Sequence, residues 1–176
     1  ALNQIDNNIF DPLGKPREHL LIASAFYSTG LVIKNDWARD TGVLLFTTIA
    51  ASGFLQTAGK YIVGRERPNR EGIDLNARSF SPFVSNRFNS FPSGHTTLGV
   101  TTTYVLARRI NWLPAKIGLY TLGGTVGFFR VYRSAHWLSD VLVGGVFSIA
   151  VAETAIRRFE QKRPSTSPKS KWRSRK

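Results

Sequence analysis

Four residues apart, His136 and Asp140 close the stretch Arg130-Val131-Tyr132-Arg133-Ser134-Ala135-His136-Trp137-Leu138-Ser139-Asp140. At a helix start an i,i+4 pair shares one face. Asp140 can then accept the Nδ1–H of His136, fix the tautomer so that Nε2 presents a lone pair, and stabilise the positive charge gained on attack. A second segment, Phe91-Pro92-Ser93-Gly94-His95-Thr96, puts Pro where a helix starts and Ser93, Gly94 and His95 in its first turn. Unpartnered N–H groups there bind phosphate readily. Gly94 lets the backbone approach an anion, the Ser93 hydroxyl adds a donor, and His95 stands within reach of a leaving oxygen. A third segment, Lys60 to Pro68, sets Lys60 and Arg67 seven residues apart, two helical turns, so that both cations project from one face and suit a single polyanion. Each segment also has an ordinary reading: a surface His-Asp contact, a capped helix, a snorkelling basic helix end.

Position distinguishes the two kinds of reading. Helix candidates run from about Glu18 to Ile33, Asp40 to Gly64, Pro92 to Arg109, Pro114 to Phe129 and Trp137 to Phe159, and strand signals are poor. The expected fold is all-α, an antiparallel bundle of five to six helices. Lys60 and Arg67 then end the second helix, His95 begins the third, Arg130 ends the fourth and His136 begins the fifth, so every candidate falls at one end. Ala1 to Pro16 reads as an irregular lead-in. Asn69 to Phe91 reads as a lid over the site, since a loop of that length in a compact domain is usually functional.

In order and spacing the segments resemble the three signature motifs of the type 2 phosphatidic acid phosphatase and vanadium haloperoxidase superfamily. Lys60 with six residues before Arg67-Pro68 resembles the first, Pro92-Ser93-Gly94-His95 the second, and Arg130, His136 and Asp140 the third. The resemblance implies that Lys60, Arg67 and Arg130 grip a phosphate, assisted by Ser93 and the Gly94 amide. It implies that His136 forms a phosphohistidine, and that His95 protonates the leaving group and later activates water. Three fixed cations and helix N–H groups would replace magnesium, so neither metal nor cofactor is expected. Phe129 departs from the family pattern where Ser is common, Leu138 where Pro is, and Arg133 and Ser134 where small or apolar residues are.

The chain has 176 residues, 24 Lys or Arg against 11 Asp or Glu, and no Cys. That suits one domain, residues 1–160, with a basic disordered tail over 161–176, and rules out disulfides and thiolate metal sites. Seven of the basic residues and no acidic ones lie from Gln161 onward. Lys34, Arg39, Arg108, Arg109, Lys116, Arg157 and Arg158 fall at the helix ends opposite the candidate site. The positive-inside rule then predicts an inner-membrane protein with its site facing the periplasm and a cytoplasmic C-terminus touching anionic headgroups. Mean hydropathy is only −0.14, and Thr41 to Gly59 is the one uncharged run approaching a span of about 20 residues. Trp37, Trp112 and Trp137 read as interfacial anchors or as packing in helix corners. The chain opens at Ala1 without Met, as it would if a signal peptide or membrane helix preceded it.

The expected partner is a phosphorylated lipid: phosphatidate, phosphatidylglycerol phosphate, an isoprenyl diphosphate or a lipid A phosphate. A soluble periplasmic acid phosphatase or a haloperoxidase could use the same pocket. A non-enzymatic basic protein binding membrane or nucleic acid is the reading of another class. Nucleic acid is not expected, because Trp172 alone interrupts the tail with an aromatic ring.

Overall fold

The computed structural model describes residues 2–68, 80–83 and 89–162. Among them are six α-helices: α1 (Leu2–Ile5), α2 (Pro16–Val32), α3 (Asp36–Val63), α4 (Gly94–Arg109), α5 (Leu113–Tyr132) and α6 (Leu138–Lys162). No strand is formed among the described residues beyond a single bridge between Arg65 and Phe80. The all-α bundle expected from the sequence is present. Most of the expected lid and the tail from residue 163 onward lie outside the described residues.

Helices α2 to α6 alternate in direction. Several ends have a local cause. Pro16 and Pro114 sit in the first turns of α2 and α5, where a missing N–H costs nothing. Asn35 accepts from Ala38 N and starts α3. α3 ends at Gly64, which takes the left-handed conformation (φ +55°) as its N–H bonds the Lys60 carbonyl. A side chain at Gly64 would also strike the Ser81 carbonyl. Arg67 therefore lies beyond the helix, so the two-turn spacing from Lys60 expected on one helix does not exist. α4 begins at Gly94 rather than Pro92, capped by the Ser93 hydroxyl.

Apolar packing concentrates away from the site. Ala23, Leu44, Leu45, Ile49, Leu98, Val105, Ala152 and Ile156 form the core where α2, α3, α4 and α6 meet. Toward the site end the interior turns polar. Thr96, Thr97, Thr101, Thr102 and Thr103 are buried on α4, and their hydroxyls have close partners: Thr97 donates to Ser93 O at 2.8 Å, Thr101 to Ser52 at 3.0 Å and Thr103 to Gly99 O at 2.8 Å.

The lead-in corrects an expectation. Residues 2–14 are not irregular: α1 passes into a π-helical turn (Asp6–Phe10) and a 3-10 turn (Pro12–Gly14). This strap lies across the mouth of the bundle, with Phe10 stacked on Phe129 at 4.6 Å.

Two helices, α3 and α6, are long and apolar enough to cross a membrane; only 33% and 28% of their most apolar windows are buried. α6 adds a second candidate to the one read from the uncharged run. Trp37 is a corner residue, donating to the Arg109 carbonyl at 3.1 Å beneath the Arg109 guanidinium. Trp137 likewise donates to the Glu66 carbonyl at 2.8 Å. Trp112 is two-thirds exposed.

Candidate active site

At the end where α3 stops and α4 and α6 start, Gly14, Pro16, Gln56, Lys60, Arg67, Gly94, His95, Leu98 and His136 line a cleft of about 180 Å³. Five of the eight residues expected at a site are therefore brought together: Lys60, Arg67, Gly94, His95 and His136. Ser93, Arg130 and Asp140 are buried behind them.

His136 is held from behind. Its Nδ1 lies 2.8 Å from the Ser90 carbonyl, which can only accept, so Nδ1 carries the hydrogen and Nε2 keeps a lone pair. The expected partner was Asp140. Its Oδ2 is 3.7 Å from Nδ1, too long for a hydrogen bond. Asp140 instead accepts from Ser90 Oγ at 2.5 Å, Trp137 N at 3.0 Å and Arg65 at 2.7 Å. Arg65 is fixed in turn between the rings of Phe80 and Trp137. Burial pushes the proton affinity of His136 down, and Arg67 and Lys60 push the same way against Asp140. Both favour the neutral imidazole, the form a nucleophile needs.

Asn89 gathers the two cations of the first segment. Lys60 Nζ donates to its carbonyl, and Arg67 Nε to its side-chain oxygen at 2.9 Å. Gly94 serves a neighbour as much as an anion, since a Cβ there would come within 3.0 Å of the Gln56 amide. Gln56 stands one turn before Lys60 on α3 and adds a polar group to the same cleft. Ser93 points away from the cleft. Its Oγ accepts from Thr96 Oγ1 at 2.9 Å, and its N–H donates to the Asp140 carbonyl at 3.1 Å, tying the starts of α4 and α6 together.

Arg130 is not open to the cleft. It is enclosed by the strap, donating to Asp6 at 2.7 Å and Asp11 at 3.0 Å, with no partner for its Nε among the described residues. Arg133 joins the clamp through Asn7 at 3.1 Å. Asp11 Oδ1 also stands 3.3 Å from His95 Nε2 without hydrogen-bond alignment. Gly14 lies flat on the same ring, where a Cβ would fall 2.1 Å from His95 Cδ2. Burial lowers the His95 pKa to about 4, helped by Arg130 and opposed by Asp11. For Asp11, burial acts upward, but hydrogen bonds from Lys15 and Arg130 and the charge of His95 outweigh it and hold the pKa at about 2.

Sequence reading missed Ser90, Arg65, Gln56 and the Asp6–Asp11–Gly14 strap. Gln56 could have been found from its i−4 relation to Lys60. Ser90 and the strap had no signal, because their contacts join residues 46 to 124 positions apart.

A sequence model described as the PAP2 superfamily matches residues 41–164. The chain is 36% identical to a lipid A 1-phosphatase of Rhizobium etli over 63% of its own length and 49% of the relative's. It is 28% identical to phosphatidylglycerophosphatase B of Bacillus subtilis over 69% of this chain and 62% of that one. Among the lipid A 1-phosphatases it matches, the aligned part spans about half of the relative or less. In fold it is similar to the crystal structure of Aquifex aeolicus LpxE, with a TM-score of 0.56 at 20% identity over 85% of this chain and 93% of that one.

Proposed function

The chain belongs to the PAP2 superfamily, and from that premise we propose that it hydrolyses a phosphorylated membrane lipid, with His136 as nucleophile and His95 as general acid. The observation that carries the reading is the His136 ring on the cleft wall, its Nδ1 held 2.8 Å from the Ser90 carbonyl, with Lys60, Arg67 and His95 on the same cleft. His136 Nε2 attacks phosphorus while the bond to the leaving oxygen breaks and His95 protonates that oxygen. Water then attacks the phosphohistidine, gives its proton to His95, and frees phosphate and His136. Lys60, Arg67 and the first-turn amides of α4 take up the charge on the equatorial oxygens; Arg130 joins them once Asp11 yields. These groups supply the charge stabilisation, and turnover is expected to persist in chelator.

Lipid A 1-phosphate is the first substrate to try, because three relatives carry that activity in their names. Phosphatidylglycerol phosphate is the second. Residues 1–160 form the working domain in this reading. α3 and α6 cross the inner membrane with the cleft on the periplasmic side and the C-terminus in the cytoplasm, following the basic residues at the opposite helix ends.

The test is phosphate release from lipid A, phosphatidylglycerol phosphate, phosphatidate and soluble p-nitrophenyl phosphate, in detergent with chelator, by the native chain and His136→Ala. Release from a lipid substrate that His136→Ala abolishes is expected. Equal turnover by the two proteins, or loss on adding chelator, would overturn the mechanism; turnover of the soluble ester alone would overturn the lipid assignment.

A further inference from the structure

Between α3 and α6, reaching from mid-bundle to the end opposite the cleft, runs an open apolar groove of about 590 Å³. Leu55 and Phe147 wall its inner part, Ala155 and Phe159 its outer part, and Arg158 and Lys162 rim the far end. We propose that this groove binds an anionic phospholipid, its acyl chain along the apolar floor and its phosphate between Arg158 and Lys162. The inference rests on the reading of α3 and α6 as membrane spans.

Charge identifies the occupant. The basic residues at this end differ in how they are used. Arg157 pairs with Glu153 at 2.8 Å, and Arg108 reaches the same carboxylate at 3.5 Å. Arg158 and Lys162, i and i+4 on α6, have no hydrogen bond or ion pair among the described residues and stand exposed beside the groove. Among the described residues, no acidic side chain lines it. An apolar trough ending in two unpaired cations fits an amphiphile with one negative head and an apolar tail. A zwitterionic lipid offers the same chain without the net charge, and a free phosphate offers the charge without the chain.

Retention of lipid by the full-length protein in detergent, followed by native mass spectrometry, tests this with phosphatidylglycerol, phosphatidylcholine and glycerol 3-phosphate as probes. Phosphatidylglycerol should bind about tenfold or more tighter than phosphatidylcholine, the scale of two surface cations acting on one lipid. Glycerol 3-phosphate should not be retained. Arg158→Gln with Lys162→Gln should remove the preference, Ala155→Trp should remove binding by filling the trough, and Arg157→Gln should change neither. The basic tail attracts anionic lipid too, but not through the trough, so unaltered selectivity in Ala155→Trp would overturn the proposal. Equal binding of the two phospholipids by the native chain would overturn it as well. So would a dimer that Ala155→Trp dissociates while lipid has no effect. Resistance of the expressed protein to extraction from membranes by alkaline carbonate is measured separately: release there removes the membrane reading, whereas retention without lipid preference removes this inference alone.

Discussion

The two histidines of the cleft are restrained in opposite ways. His136 is backed by groups that leave its reactive face open: the Ser90 carbonyl on Nδ1, then Asp140 and Arg65 behind Ser90. His95 is covered on the face it would use, with Asp11 3.3 Å from Nε2 and Gly14 against the ring. The side of the proposed nucleophile is therefore arranged for reaction as it stands, while the side of the proposed acid is closed by a strap whose carboxylates occupy Arg130 and stand against His95. One side is preorganised; the other must exchange one anion for another.

Three substitutions test that contrast. Asp140→Asn removes the charge behind His136 and leaves Arg65 facing an amide. kcat should fall by about 10²-fold, the scale of losing a carboxylate charge 3.7 Å from the ring that becomes cationic, with KM little changed; a purely structural role would instead appear as lost folded protein on size-exclusion chromatography. Asp6→Asn acts on the other side. Asp6 and Arg130 are both buried and bonded at 2.7 Å, so breaking the pair should cost about 3 kcal/mol, read as a lower thermal midpoint. An unchanged midpoint would mean that the strap does not anchor through Asp6. Ser90→Ala should be milder. The backbone carbonyl still holds Nδ1–H, and only the hydroxyl link to Asp140 goes, so kcat should drop about tenfold at constant KM. A loss as large as that of Asp140→Asn would show that the hydroxyl, not the carbonyl, sets the tautomer.

How far the site could be read from the sequence follows the same division. Lys60, Arg67, Gly94, His95 and His136 were legible because each sits in a short segment whose helix end fixes its place, and alternating helix directions put those ends together. Asp140 and His136 were legible as neighbours, but the hydrogen bond expected between them is not made. An i,i+4 pair shares a face only within a helix, and His136 lies just before α6 begins at Leu138, which leaves room for Ser90 to intervene. Arg67 was read on the face of a helix that Gly64 ends. The strap was illegible: Asn, Asp, Pro and Gly in Ala1 to Pro16 signal turns locally, and what folds them is the distant side chains of Phe129, Arg130 and Arg133. Two of the residues that depart from the family pattern, Phe129 and Arg133, are those that contact the strap. The family match begins only at residue 41.

The smallest effect bears most directly on whether the strap competes with substrate. Asp11, with a pKa of about 2, is ionised at any working pH, and its side chain is 30% exposed, so it can be displaced without unfolding the anchor at Asp6. His95, with a pKa of about 4 beside Asp11 and Arg130, is neutral there at pH 7. To act as an acid it must gain a proton when a phosphate dianion replaces Asp11, so binding takes up a proton. The sign is fixed by linkage: a group whose pKa rises on binding weakens apparent affinity as pH climbs between its free and bound values. Above about pH 6, where the phosphate no longer brings its own second proton, log(kcat/KM) should decline with pH with a slope approaching −1. Asp11→Asn should lower KM about threefold to tenfold, the scale of a part-exposed ion pair, and should do so by the same factor at every pH on that limb, because Asp11 has already left the bound state whose pKa sets it. The kcat profile reports the His95 pKa in the complex, so a kcat limb at the same pH in the two proteins is the mark of a competing anion. A kcat limb that moves to lower pH in Asp11→Asn would instead mean that Asp11 stays beside His95 during turnover and holds its proton.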